Sequence, residues 1–161
     1  MKIKYLIAAA IFGITSANAA VTPNSAVTAQ TPNRGIVQFL QGTDVAGTYK
    51  TLYTAGANGS KCNALWETNN DASATHLITV QIVNGGIKYG FAAATTASND
   101  GFVNAKPPLN IMSTTITGNL PLDSDGNPYF LMVSGDTLQA TFATALTATD
   151  VINLEALCAD F

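Results

Sequence analysis

The chain has 161 residues, and only 11% of them are charged, against roughly 25% in an average soluble domain. Seven Lys and Arg stand against ten Asp and Glu, a net charge of −3. That balance excludes a nucleic-acid-binding surface, which needs clustered Lys and Arg.

In chain order, Lys2 and Lys4 come first, and Tyr5–Ile14 is an uncharged apolar run. Ala17 and Ala19 then fit the small-x-small pattern of a signal-peptidase site. The run is shorter than the roughly 20 apolar residues a membrane-spanning helix needs. It therefore predicts a signal peptide over residues 1–19, cleaved after Ala19, with no membrane span left behind. Without Lys2 and Lys4, five basic residues remain against ten acidic ones, so the mature chain carries about −5. Those five (Arg34, Lys50, Lys61, Lys88 and Lys106) are scattered.

Residues 20–33 are rich in Pro, Thr, Ser and Asn. Pro23 and Pro32 oppose regular structure there, which predicts an extended N-terminal arm. Residues 34–161 read as one domain. Short segments alternate polar and apolar residues between clusters of Gly, Asn, Asp and Pro, the signature of strands and turns. Strands are expected at Arg34–Gln41, Tyr49–Thr54, Lys61–Thr68, His76–Asn84, Ile87–Thr95, Tyr129–Val133, Thr137–Ala143 and Val151–Cys158. Leu109–Ser113 follows two prolines and is at best an edge strand.

The alternation assigns faces. Ile78, Val80 and Ile82 share one side, as do Leu138, Ala140 and Phe142, then Ile152, Leu154 and Ala156. Cys62, Ala64 and Trp66 are expected to face inward, opposite Lys61, Asn63 and Glu67. Asn84-Gly85-Gly86 and Ser134-Gly135-Asp136 read as hairpin turns. Ala143–Asp150 has room for a single helical turn. The fold class is all-β: a single-domain, jelly-roll-like β-sandwich of about eight short strands.

Chemistry-bearing residues are few. His76 is the only histidine and is expected at an exposed strand edge. No G-x-S-x-G elbow accompanies it, and zinc catalysis needs more His or Cys ligands than the chain supplies. No catalytic residue, cofactor site or metal site is assigned. Asp123-Ser124-Asp125-Gly126-Asn127 is the one calcium-like segment, with Asp123, Asp125 and Asn127 as candidate oxygen ligands. Its alternative is an Asx turn. Gly56–Lys61 faintly resembles a phosphate loop, but a strand follows where a helix N-terminus is required, so it reads as a tight turn. Asn58-Gly59-Ser60 also matches a glycosylation sequon. Trp66, Phe130 and Phe142 are expected in the core. Tyr49 and Tyr53 share a strand face that could meet solvent and stack on a sugar.

No C-x-x-C motif is present. Cys62 and Cys158 both fall on apolar strand faces, which predicts two sulfurs in one core. After export they would meet an oxidising compartment, so they are the disulfide candidate.

From Thr51 onward the chain resembles small structural proteins of tailed bacteriophages and prophages. The matching features are Thr51–Ser60 (TLYTAGANGS), Leu120–Tyr129 (LPLDSDGNPY), Gly135-Asp136-Thr137-Leu138 and the terminal Ala159-Asp160-Phe161. Val21–Ser25 with Gln30-Thr31-Pro32 is similar to the start of some of those proteins. The resemblance implies a compact β domain serving as a decoration or accessory component of a virion, without enzymatic activity.

Two functional classes follow. The first is a non-catalytic, exported structural or assembly protein. Its partners would be itself, as a homo-oligomer or larger assembly, or a surface protein. The second is a secreted module that binds a carbohydrate or another surface ligand. Either would be secreted, periplasmic or at the cell surface, and virion-associated on the resemblance to phage proteins. A small hydrolase is disfavoured by the missing nucleophile motif.

Overall fold

The computed structural model describes residues 31–102, 106–146 and 149–161. The expected signal peptide and residues 20–30 of the expected arm lie outside the described residues. Within them, nine strands run as β1 Thr31–Leu40, β2 Lys50–Thr54, β3 Ser60–Asn69, β4 His76–Asn84, β5 Ile87–Thr96, β6 Leu109–Asn110, β7 Phe130–Met132, β8 Thr137–Phe142 and β9 Val151–Asp160. One helical turn, α1, covers Thr114–Thr117.

The strands form two antiparallel sheets, as the alternation of apolar residues requires. Sheet A has the order β1-β9-β3-β6, and β7 also pairs with β3. Sheet B has the order β2-β8-β4-β5. The chain passes between the sheets at β1–β2, β2–β3 and β3–β4, and again at β5–β6, β7–β8 and β8–β9. Each sheet turns one face to a common core, so a residue's place in the two-residue period decides whether it is buried.

The core follows that period closely in three strands. Ile152, Leu154 and Ala156 of β9, Leu138, Ala140 and Phe142 of β8, and Ile78 and Val80 of β4 are all buried. Phe39 from β1 meets Phe142 with ring centroids 5.1 Å apart, which joins the two sheets directly. Phe91 from β5 meets Phe130 from β7 at 4.5 Å. Each fully buried side chain of this size contributes about 1.5–3 kcal/mol.

At the β1 side the sheets approach closely. A Cβ on Gly35 would collide with the carbonyl oxygen of Leu52. Only glycine allows β1 and β2 to come together there.

Several boundaries differ from expectation. β1 begins at Thr31, because Thr31, Pro32 and Asn33 pair with Asp160, Ala159 and Cys158. These three residues therefore belong to a strand and not to the arm. The expected strand at Leu109–Ser113 shrinks to two residues. No helix occurs among the described residues of Ala143–Asp150, where Leu146 tucks into the core instead. The single helical turn lies at Thr114–Thr117, whose threonines and isoleucine are poor helix formers.

Candidate functional site

The most consequential local feature is a β-bulge in β3. Cys62 pairs with Cys158 and Ala64 pairs with Leu157, which leaves Asn63 without a partner on β9. One extra residue reverses every later side chain of the strand. Leu65 and Glu67 therefore point inward and are fully buried, while Trp66 is 38% exposed on the outer face of sheet A. This corrects the expectation that Trp66 lies in the core and Glu67 in solvent. Strict alternation also set Leu65 on the polar side, and that mismatch was the signal for a bulge.

On the outer face, Ile36, Glu155 and Trp66 lie in one rung, and Asn110 pairs with Trp66 beyond them. Arg34, Leu157 and Ala64 form the next rung. Ile36 is 55% exposed. Arg34 Nε stands 2.7 Å from Glu155 Oε1, so both charges sit within the patch. Gln38 Nε2 donates to Asn153 Oδ1 at 2.8 Å along one margin. The outer face of sheet B differs. Its Gln81 Nε2 donates to Gln139 Oε1 at 3.0 Å, and its centre holds Thr and Gln side chains without charge.

One end of the sandwich buries a polar network. His76 is 1% exposed, not at an open strand edge as expected. The Asn70–Thr75 connection folds over it, and Nε2 lies 3.0 Å from Asp71 Oδ2. An ionised carboxylate only accepts, so Nε2 carries the hydrogen. Nδ1 has no hydrogen-bond partner among the described residues. Asp71 Oδ1 accepts from Ser73 N, Ser73 Oγ and Ala74 N. Burial opposes the Asp71 charge, but these bonds and His76 hold its carboxyl well below the usual range. Asn69 Nδ2 ties the network to Thr96 Oγ1 and to the carbonyls of Ala74 and Ala97.

Glu67 is the exception in this network. Both carboxyl oxygens lack a hydrogen-bond partner among the described residues. Burial, helped by the negative charge of Asp100, pushes its pKa up to about 8. Its carboxyl is therefore largely protonated at neutral pH.

A second cluster gathers around Asp160 at the end of β9. Asp160 Oδ1 accepts from Ser60 Oγ and from Tyr53 Oη, both at 2.5 Å. Asn33 Nδ2 donates to Asp160 Oδ2 at 3.3 Å. The bonds from Ser60 and Tyr53 lower the Asp160 pKa. Burial and the neighbouring Asp160 raise that of Tyr53. Tyr53 is 5% exposed, so the expectation of an open tyrosine face fails for it. A bulge at Leu52 turns both Leu52 and Tyr53 inward. Two residues from Asp160, Cys62 and Cys158 are joined in a disulfide, with Cα atoms 3.9 Å apart across β3 and β9.

The remaining candidates are turns by their hydrogen bonds. Asp123 Oδ1 accepts from the backbone N–H of Asp125 and Asn127. Gly126 N donates to the Asp123 carbonyl. These bonds build an Asx turn and turn the lone pairs of Oδ1 toward the chain's own donors. Gly59 N donates to the Gly56 carbonyl, and β3 follows directly. Asn58 is exposed, with Nδ2 on the Phe161 carbonyl. Among the described residues, no group of three or more His, Cys, Asp or Glu could hold a metal ion. None of their helices is long and apolar enough to cross a membrane.

Ser73 Oγ bonds to Asp71 and not to His76, and among the described residues no hydroxyl stands against His76 Nδ1. The accessible chemistry is instead on the outer face of sheet A, where an indole, an isoleucine and an ion pair meet solvent.

No family model and no curated protein matches the chain. Solved structures do. A chain of the acidic stable capsid structure of Helicobacter pylori bacteriophage KHP30 superposes with a TM-score of 0.50 at 11% identity, over 82% of this chain and 90% of that one. A chain of the cyanophage Pam1 capsid asymmetric unit matches with a TM-score of 0.44 at 14% identity, over 81% and 84%. The all-β sandwich is thus shared with the KHP30 capsid chain across nearly its whole length.

Proposed function

We propose that this chain is a non-catalytic structural protein that works by assembly, as a virion-type decoration or accessory domain, and that it is exported. The observation that carries the reading is the disposition of its polar groups. The sole histidine and its aspartate are sealed inside, whereas a broad sheet face that carries Trp66 and Ile36 on either side of Glu155 is left open. The fold shared with a phage capsid chain supports the same direction, as do the phage-like segments of the sequence. Export rests on the basic start, the apolar run and Ala17-x-Ala19. The disulfide suits the oxidising compartment that export implies.

Sedimentation of the purified protein, alone and with particles from the producing culture, tests the assembly reading. Self-association or co-sedimentation is the expected result. A chain that stays monomeric and apart from particles overturns it. Intact mass of protein from the envelope or medium tests export: cleavage after Ala19 is expected, and a full-length cytosolic species contradicts it.

The exposed Trp66 favours a second reading, a surface-ligand module that stacks a sugar on the indole. Quenching of Trp66 fluorescence by an oligosaccharide is its test.

A further inference from the structure

We propose that the outer face of sheet A is the docking surface for a second copy of this chain, with Trp66 at the centre of the contact. This rests on the assembly reading above and names the surface that performs it.

The argument starts from the bulge at Asn63. Without it, the indole of Trp66 would be buried and the carboxyl of Glu67 would be hydrated. With it, an indole is 38% exposed and a carboxyl is fully buried with no hydrogen-bond partner among the described residues. Both outcomes oppose folding of the isolated subunit. A segment that breaks two local rules at once marks a requirement outside the fold itself. Burial of Trp66 against another molecule would meet that requirement.

The composition of the patch fits a protein partner. Ala64 and Leu157 lie in the rung next to the indole, and Ile36 stands across Glu155 from it, with Arg34 beyond. Aromatic and arginine residues with an apolar centre characterise the energetic core of protein interfaces. The charges point to a like partner. Arg34 and Glu155 occupy adjacent rungs, so the patch carries both signs and is nearly neutral. Around a twofold axis, Arg34 of each copy can reach Glu155 of the other, the self-complementarity an isologous contact requires.

The area is sufficient. Three ten-residue strands, with the two residues of β6 and three of β7 beside them, give a face of about 570 Å² at ~4.8 Å strand spacing and ~3.4 Å per residue. Two copies would bury about 1,150 Å², above the ~1,000 Å² that a biological interface should clear. Sheet B offers no such centre: the middle of its outer face holds Thr79, Gln81, Gln139 and Thr141, with Leu77 toward one end and Lys88 toward the other.

Trp66 is the only tryptophan, so its fluorescence reports this face alone. Sedimentation velocity and emission spectra are recorded on the purified protein over one concentration series. The expected result is self-association with a blue shift of emission that follows the same concentration dependence. Ile36→Glu and Arg34→Glu, both at exposed positions, should move the midpoint at least about tenfold upward. Gln139→Lys, on the other sheet, should leave it in place. Circular dichroism establishes that each variant is folded.

Association with unchanged Trp66 emission, insensitive to both β1 variants, overturns this inference and leaves the assembly reading standing. A monomer at ~100 µM that also ignores particles overturns both. A monomer whose Trp66 is quenched by an oligosaccharide assigns the face to a glycan and equally refutes the proposal.

Discussion

Glu67 is buried near Asp100, and burial, with the Asp100 charge added to it, disfavours an ionised Glu67 carboxyl. Asp100 Oδ2 accepts from the Ala97 N–H at 2.6 Å, whereas Glu67 has no such donor among the described residues. The proton therefore resides on Glu67, whose pKa rises from 4.5 to about 8.

That shift predicts the pH dependence of stability. Below pH 4.5 Glu67 is protonated in both states and contributes nothing unfavourable. Between 4.5 and about 8 the unfolded chain releases the proton and the folded chain retains it, so stability declines as pH rises. The full effect is on the order of 5 kcal/mol. Asp71 and Asp160 act in the opposite sense. Their lowered values contribute stability that is present above 3.8 and lost as pH falls further. Thermal unfolding should therefore be most resistant near pH 4–5. In Glu67→Gln the decline between pH 5 and 8 should flatten. Parallel wild-type and variant profiles would show that Glu67 does not hold the proton.

His76 should behave as a structural residue. Removing its ring leaves a cavity and takes a partner from the buried Asp71. His76→Ala should lower unfolding free energy by about 2–4 kcal/mol in urea titration. Self-association of the folded variant should be unchanged. An unaltered denaturation midpoint would contradict the buried dyad, and lost association in a fully folded variant would give His76 another role.

Much of the fold is legible from alternation alone. β4 runs from His76 to Asn84 as expected, and β9 keeps Ile152, Leu154 and Ala156 on the core side. Those strands have clean apolar rows, and burial selects their register. β3 resists the same treatment because its one cue, Leu65 falling on the polar side, does not say which residue is extra. Asn63 looks like any polar strand residue, and only the partner strand reveals it as extra. The exposed face around Trp66 was missed for that reason. The His76–Asp71 pair was missed because it depends on how the Asn70–Thr75 connection folds over the strand end. Cys62 is buried against Cys158 as expected, but Ala64 and Trp66, the residues that set its expected face, lie beyond the bulge and turn outward.

The loop at Asp123 should not need a cation. Its Oδ1 already accepts two backbone N–H groups, and the bond from Asn127 lowers its pKa. Millimolar calcium should leave the unfolding temperature within about 1 °C, since a shift of 1 kcal/mol would move it by roughly 2–8 °C. Asp123→Ala should lower the unfolding temperature through the lost turn bonds. A calcium-dependent rise of several degrees, absent in Asp123→Ala, would instead identify Asp123, Asp125 and Asn127 as ligands.

The disulfide should contribute through the unfolded chain. Cys62 and Cys158 are 96 residues apart in sequence but face each other across a β3–β9 ladder that continues on both sides. Reduction therefore leaves the folded sheet paired, while the unfolded chain regains the freedom of a large loop. The chain-entropy account gives at most about 4.7 kcal/mol for a loop of ~100 residues, and measured effects are often smaller. Cys62→Ala with Cys158→Ala should fold to the same sheet and unfold at lower denaturant, by about 2–4 kcal/mol. The reducing agent should lower the wild type to a similar level and leave the double variant unmoved. Thiol titration of the unfolded, unreduced protein should find no reactive thiol. Two per chain would refute the bridge, and would remove the oxidising compartment from the support for export as well.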